Sequence, residues 1–334
     1  MTRAAAIFGI SGPALTAYER AFFRDVDPAG YILFGRNIVD PGQLSALTFE
    51  LRSIAGRDGL PILIDQEGGR VARLGPPHWP AFPPAGAFDR LYRVAPMSAI
   101  EAARAGGEAM AIQLRAAGIN VNCAPMLDVR DREAHDIVGD RAFGEEPMQV
   151  AALGRAMLEG MKAGGVAAVV KHMPGHGRVR VDSHEVLPVV DASRDELERD
   201  FAPFRALRDA PFGMTAHIVY TALDPERLAT LSPTVIGEAV RGAIGFEGLL
   251  LSDDICMGAL QGGFRERSAG ARAAGCDIVL HCSGELGEMQ EVVAGAGTVD
   301  PARLDQAMAE VAGPSSAGDW ERLAAKRDSL LAFA

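Results

Sequence analysis

Apolar residues along this chain fall into two rhythms: short runs that are hydrophobic throughout, and longer stretches in which they recur every three or four positions. The short runs are Ala4 to Gly9, Tyr31 to Phe34, Pro61 to Asp65, Ile119 to Ala124, Val166 to His172, Phe212 to His217, Leu249 to Asp253 and Asp277 to Cys282. Runs of this length, rich in Val, Ile and Leu and lacking polar alternation, predict strands covered on both faces, as in a parallel sheet. Between them Ile100, Ala103, Gly107, Met110, Leu114 and Ala117 keep a helical step, as do Val150, Leu153, Met157 and Met161. Strand followed by helix, eight times over, predicts an α/β fold, the TIM (β/α)8 barrel. The Pro-rich stretch Gly75 to Phe88 reads as loop, and residues 284–334 as a helical tail packed on the outside of the barrel. No Pro/Ser-rich linker or block of charge divides the chain, so residues 1–334 read as a single domain.

The barrel carries a test within the sequence. Its active face lies at the C-terminal ends of the strands, where polar residues should collect. The third run ends in Asp65-Gln66-Glu67-Gly68-Gly69-Arg70, the fourth leads to Asn122 and Asp128, the fifth to Lys171-His172, the sixth to His217 and the seventh to Ser252-Asp253-Asp254. The densest cluster is Lys171-His172-Met173-Pro174-Gly175-His176-Gly177 with Asp182-Ser183-His184 just beyond. Glu67, Asp128 and Asp254 read at least as well as partners for basic groups or as helix caps as they do as groups of the chemistry.

Composition removes several classes. With 48% hydrophobic and 23% charged residues the chain can bury a large core, and a net charge of −11 without a basic stripe argues against nucleic acid. The apolar start, Ala4 to Ile10, is interrupted by Ser11-Gly12-Pro13, too soon for a secretion signal, and no run is long enough to span a membrane. These features predict a cytoplasmic protein without membrane contact. Cys123, Cys256, Cys276 and Cys282 are scattered and suggest neither a disulfide framework nor a zinc site.

The ordered motifs Ile32-Leu33-Phe34-Gly35-Arg36-Asn37, Asp65 to Arg73, Ala124 to Val129, Gly139 to Gly144, Lys171 to Gly177, Asp182-Ser183-His184, Met214 to His217 and Ser252-Asp253-Asp254 give the chain a family likeness. It resembles the glycoside hydrolase family 3 β-N-acetylglucosaminidases of the single-domain bacterial kind. That resemblance implies a retaining exo-β-N-acetylglucosaminidase that removes terminal β-linked N-acetylglucosamine from 1,6-anhydro-muramyl fragments of peptidoglycan. Asp253 would be the nucleophile, and His184, its ring oriented by Asp182, the acid/base. Asp65, Arg73, Arg141, Lys171 and His172 match the family's substrate-binding positions, with Asp65 accepting from hydroxyls and Arg141, Lys171 and His172 donating. A monomer acting on a small N-acetylglucosamine-containing muropeptide, with no cofactor and no metal, is the corresponding expectation.

His176 reads as support for its loop and His217 as a satisfied core histidine. Two departures from the family pattern stand in the loop: Met173 where Phe is usual, and Arg178-Val179 where Asp-Thr is common. Arg178 and Arg180 read as solvated. Three rival readings stay open: a metal-dependent barrel hydrolase using His172, His176, His184, Asp182 and Asp253, a phosphorylase, and a noncatalytic sugar-binding relative.

Overall fold

The computed structural model describes residues 2–133, 138–180, 187–309 and 319–333. Each predicted run supplies a strand: β1 (Arg3–Gly9), β2 (Pro28–Leu33), β3 (Ile62–Ile64), β4 (Val121–Asn122), β5 (Ala167–Met173), β6 (Phe212–Thr215), β7 (Leu249–Asp254) and β8 (Ile278–His281). Each pairs in parallel with the next, and β1 pairs with β8 through Ala6 to Val279 and Phe8 to His281. The sheet therefore closes into the predicted barrel. Helices surround it: α1 (Ala17–Val26), α2 (Pro41–Ala55), α3 (Ala85–Val94), α4 (Pro96–Ala116), α5 (Pro147–Ala163), α6 (Arg194–Ala206), α7 (Phe264–Ala274) and α8 (Leu286–Ala296), followed by α9 (Pro301–Ala309) and α10 (Trp320–Leu331). Between β6 and β7 the layer is completed by Val235–Ala243, a helix wound with i→i+5 bonds.

Local chemistry sets where the helices start. Thr16 and Glu19 form a reciprocal capping box ahead of α1, and Ser193 with Glu196 does the same for α6. At α2, Asp40 accepts from the Gln43 amide and Pro41 takes the first helical position, where a missing N–H costs nothing.

Strand phase divides the core in two. Ala5, Ile7, Leu63, Val121, Ala167, Val169, Phe212, Leu249, Leu251, Ile278 and Leu280 pack inside the barrel. Their neighbours Ala6, Phe8, Ile62, Ile64, Ala168, Val170, Leu250 and Val279 pack outward under the helices. Both faces are dry, so the sequence shows no polar alternation.

The tail divides. Helix α8 finishes the helical layer and α10 lies against α4. Helix α9 instead turns beneath the barrel, where Leu304, Ala307 and Met308 join the interior cluster. Just before it, Thr298–Val299 runs antiparallel to Arg3–Ala4. The Pro-rich stretch is not all loop either, because α3 begins at Ala85 directly after Pro83-Pro84. A proline ahead of a helix start is tolerated, which is why the last residues of that stretch could fold as helix. No helix among the described residues is long and apolar enough to cross a membrane.

Candidate active site

The inward phase of each strand, extended past its last apolar residue, delivers the polar groups. Asp65 continues the phase of Leu63, Lys171 that of Ala167 and Val169, and Asp253 that of Leu249 and Leu251. All three line a cavity of about 450 Å³ at the C-terminal mouth of the barrel, together with Phe34, Glu67, Arg70, Arg73, Asp128, Arg141, His172 and His176. A two-residue period thus aims carboxylate and ammonium at one point above a hydrophobic plug.

The floor on one side is a buried ion cluster. Glu67 is 7% exposed and Lys171 4%, at 2.8 Å from one another. Arg141 grips Glu67 with two bonds, Nε at 2.9 Å and a terminal nitrogen at 2.8 Å. Lys171 also reaches Asp65 at 3.0 Å, and Arg73 reaches it at 3.3 Å. Burial alone would raise the Glu67 pKa, yet Lys171 and Arg141 outweigh it and hold the carboxyl far below its usual range. For Lys171, burial is likewise outweighed by Asp65 and Glu67, so the ammonium stays charged. Three cations, Lys171, Arg141 and Arg73, and two carboxylates, Asp65 and Glu67, then line the cavity, a set that can orient sugar hydroxyls and an amide.

The loop from Asp65 holds its shape through buried amides. Gln66 accepts from the Arg73 and Leu74 amides, while Asn122 exchanges two hydrogen bonds with the Gln66 backbone. Gly68 lies at φ 101°, and a Cβ there would come within 2.3 Å of the Pro83 carbonyl oxygen. Only glycine allows this turn, and the turn is what carries Arg73 back over the cavity.

Asp128 organises the opposite wall. Its fully buried carboxylate accepts from the His172 and His176 amides at 3.2 and 2.6 Å and meets His172 Nδ1 at 2.8 Å. Burial would raise its pKa, but the two histidines reverse the shift and keep it lowered. The contact with this carboxylate places a proton on His172 Nδ1 and fixes the orientation of the ring at the cavity wall. Beyond His176, a Cβ on Gly177 would overlap the Val129 carbonyl oxygen at 1.7 Å. This close backbone approach is the physical reason for the second glycine of the motif.

Asp253 and its neighbour have different work. Asp253 is partly exposed to the cavity, and its Oδ1 accepts from the Asp254 amide at 2.8 Å. Burial raises its pKa, but the groups around it, the Asp254 amide and Lys171 among them, bring it below the ordinary carboxylate value. Asp254 also borders the cavity, but its Oδ1 accepts from the Cys256 and Cys282 amides at 3.0 and 3.1 Å, tying the end of β7 to the segment after β8. An ionised carboxylate held by backbone and open to a cavity that Lys171 and Arg141 also line can serve as a nucleophile toward a bound polar substrate.

Residues 13–313 match the family described as glycosyl hydrolase family 3 N terminal domain. The chain belongs to glycoside hydrolase family 3. A β-hexosaminidase of Methylococcus capsulatus is 40% identical over 282 residues, 83% of this chain and 82% of its own, and one of Chromobacterium violaceum is 36% identical across all of this chain and 94% of its own. NagZ from Neisseria gonorrhoeae, solved with N-trifluoroacetyl-D-glucosamine, superposes with a TM-score of 0.88 at 31% identity, covering 100% of this chain and 99% of that one. Within the family, this chain is a β-N-acetylhexosaminidase.

The site-forming residues of this family 3 chain divide into those brought together and those not described. Asp65, Arg73, Arg141, Lys171, His172 and Asp253 surround one cavity. Asp182 and His184 lie outside the described residues. Glu67 and Asp128 pair with basic groups, one of the readings their sequence allows, and hold Lys171, Arg141, His172 and the start of the His176 loop. Their signal was weak because each partner is far away in sequence.

Arg178 is not solvated, contrary to expectation. It is 20% exposed and donates to Asp200 at 2.6 Å and to the Glu196 carbonyl at 3.1 Å, pinning the loop base to α6. Arg180 does sit in solvent, paired with exposed Glu133. His217 is buried with both ring nitrogens engaged, as a satisfied core histidine should be.

Cys256, His281 and Glu288 bring one ligand atom each within 4.8 Å of one another. The donor set fits a metal poorly. His281 Nε2 is engaged by Glu288 at 3.1 Å and buried Nδ1 has no partner, so a metal on Nε2 would send the ring proton to a position without an acceptor. The Cys256 thiol is pushed up to about 12 by burial and by Asp254, far from the thiolate a metal needs.

His176 gives a pH prediction. Burial, aided by His172, pushes its pKa down to about 4. Between that value and about 6.5, the unfolded chain takes a proton that the fold refuses. The stability that neutral His176 contributes is therefore intact above about 6.5 and is lost as pH falls toward 4, by up to roughly 3 kcal/mol. Asp200, raised by burial to about 6, works in the opposite sense but is common to wild type and variant. The Tm gap between wild type and His176→Gln is expected to be smaller at pH 4.5 than at pH 7.5; a gap independent of pH would count against this assignment.

Proposed function

We propose that this chain is a retaining exo-β-N-acetylglucosaminidase that removes terminal β-linked N-acetylglucosamine through a glycosyl-enzyme on Asp253. The observation that carries the reading is the Asp253 carboxylate itself: inward in strand phase, held by a backbone amide, ionised, and open to the cavity. It attacks the anomeric carbon as the leaving oxygen takes a proton. His184, oriented by Asp182, supplies that proton and later deprotonates the water that releases the sugar. Asp65, Arg73, Arg141, Lys171 and His172 hold the N-acetylglucosamine. The substrate is a small muropeptide carrying a 1,6-anhydro-muramyl unit, met in the cytoplasm during peptidoglycan recycling. The support is the family membership, the motif residues around the cavity, and a neighbour solved with an N-acylated glucosamine.

The test is hydrolysis of an aryl β-N-acetylglucosaminide with chelator present, following the anomer first released by NMR, with and without phosphate. Chelator-resistant release of β-N-acetylglucosamine is expected. An α product first would rule out retention, loss with chelator would favour the metal reading, and N-acetylglucosamine 1-phosphate would identify a phosphorylase.

A further inference from the structure

We propose that His217, Thr230 and Thr215 are positioning residues that fix the backbone on which Asp253 sits. The inference rests on Asp253 being the nucleophile and adds a role for three residues that do not line the cavity.

The hydrogen-bond directions can be assigned from chemistry. The Asp254 carbonyl oxygen can only accept, so His217 Nε2, 2.9 Å away, carries a proton. His217 is 1% exposed, and its burial holds its pKa below the ordinary value, so the ring is neutral and Nδ1 is bare. The partner of Nδ1 at 2.7 Å is the Thr230 hydroxyl, which must then be the donor. Thr230 Oγ1 also lies 3.2 Å from the Ala216 carbonyl, a longer contact for the same proton. With its proton directed to the imidazole, Thr230 accepts from Thr215 Oγ1 at 2.7 Å. Thr215 Oγ1 in turn accepts from the Asp253 amide at 3.3 Å.

The bonds therefore run in one direction around a ring: from the Asp253 amide through Thr215 and Thr230 to His217, and from His217 to the Asp254 carbonyl. Both ends are on the nucleophile's strand terminus. Thr215, Thr230 and His217 are each buried to 1% exposure or less, so no water is needed to complete the ring. Its reverse direction would require a charged imidazole in the dry interior.

The consequence is geometric. The Asp254 amide that holds Asp253 Oδ1 belongs to the segment gripped at both ends by this ring. If the ring is cut, that amide and the carboxylate shift together, and a misplacement on the order of 1 Å costs on the order of 10² in rate.

The experiment uses the full chain and a 5-fluoro N-acetylglucosaminyl fluoride, which traps the glycosyl-enzyme, with trapping rate and labelled residue read by mass spectrometry. Thr230→Val keeps shape and removes the hydroxyl; it is expected to slow trapping and kcat by on the order of 10²-fold with KM changed by less than about threefold. Thr230→Ser is expected to return both to within about threefold of wild type. Thr215→Val cuts the ring at its other end, and the double variant Thr215→Val/Thr230→Val should be no slower than the slower single variant, because both break one unit. Trapping at the wild-type rate in Thr230→Val, or fully multiplicative losses in the double variant, would overturn the ring's role. Should wild type label a residue other than Asp253, the nucleophile assignment fails; normal labelling of Asp253 with indifferent threonine variants refutes the ring alone.

Discussion

Asp253→Asn is expected to lower kcat for an aryl β-N-acetylglucosaminide by on the order of 10⁴-fold or more, with the fold retained. The amide keeps the side chain's size but is a poor nucleophile. The ring of hydrogen bonds beneath it uses backbone groups of Asp253 and Asp254, so the substitution leaves those bonds available. Because the ionised form is favoured in the fold, Asp253 stays a carboxylate through the ordinary carboxylate range as pH falls. An acid limb of kcat/KM near neutral pH would then belong to another group. A second variant makes the assignment specific: Asp253→Ala leaves room for an external nucleophile, and azide should restore turnover and yield the α-glycosyl azide. Restored turnover with a β product, or activity of Asp253→Asn within tenfold of wild type, would remove Asp253 from the nucleophile's role.

Glu67→Gln is expected to be the most damaging substitution for stability among the cavity residues, at about 3–5 kcal/mol. It keeps the shape while leaving Lys171 and Arg141 in a dry pocket with one carboxylate fewer. The carboxamide keeps one acceptor oxygen and turns a donor toward the other arm of the Arg141 fork, which is lost, whereas Lys171 keeps Asp65. The expected signature is a lower midpoint in denaturant with an unchanged slope, together with a raised KM as the sugar-facing cations lose their anchor. Linkage fixes the pH window. The folded-state pKa of Glu67 is depressed, so its contribution is complete above the unfolded value of about 4.3 and is lost as pH falls below it toward the folded value. The gap between wild type and Glu67→Gln should therefore hold from pH 8 to 5 and shrink in stronger acid. A gap under about 1 kcal/mol at pH 7 would show that the cluster tolerates the lost charge, as exposed pairs do.

Much of this molecule could be read from its sequence because both layers of a barrel leave local marks. Eight dry strands gave eight uninterrupted apolar runs, and strand phase alone aimed Asp65, Lys171 and Asp253 inward. What escaped depended on distant partners. Glu67 meets Arg141 across 74 positions, and Asp128 meets His172 across 44, so the sequence suggests pairing for each without naming the partner. Arg178 looked solvated because nothing nearby in sequence announced Asp200 on α6. Helix α3 was hidden by the prolines before it, and the i→i+5 winding of Val235–Ala243 has no period that the apolar pattern separates from an ordinary helix. The tail read as external cover because its amphipathic spacing says which face is buried but not against what.

Helix α9 has a consequence for how the chain is made. Its Leu304, Ala307 and Met308 fill the interior at the end where β1 begins, and β1 also waits for β8 to close the sheet. At ribosomal speeds of about 5–20 residues per second, the first strand emerges roughly fifteen seconds to a minute before the segments that must cover it. For that interval the nascent barrel is an open sheet with an apolar floor and two unpaired edges, the condition under which chaperones are recruited and strands mispair.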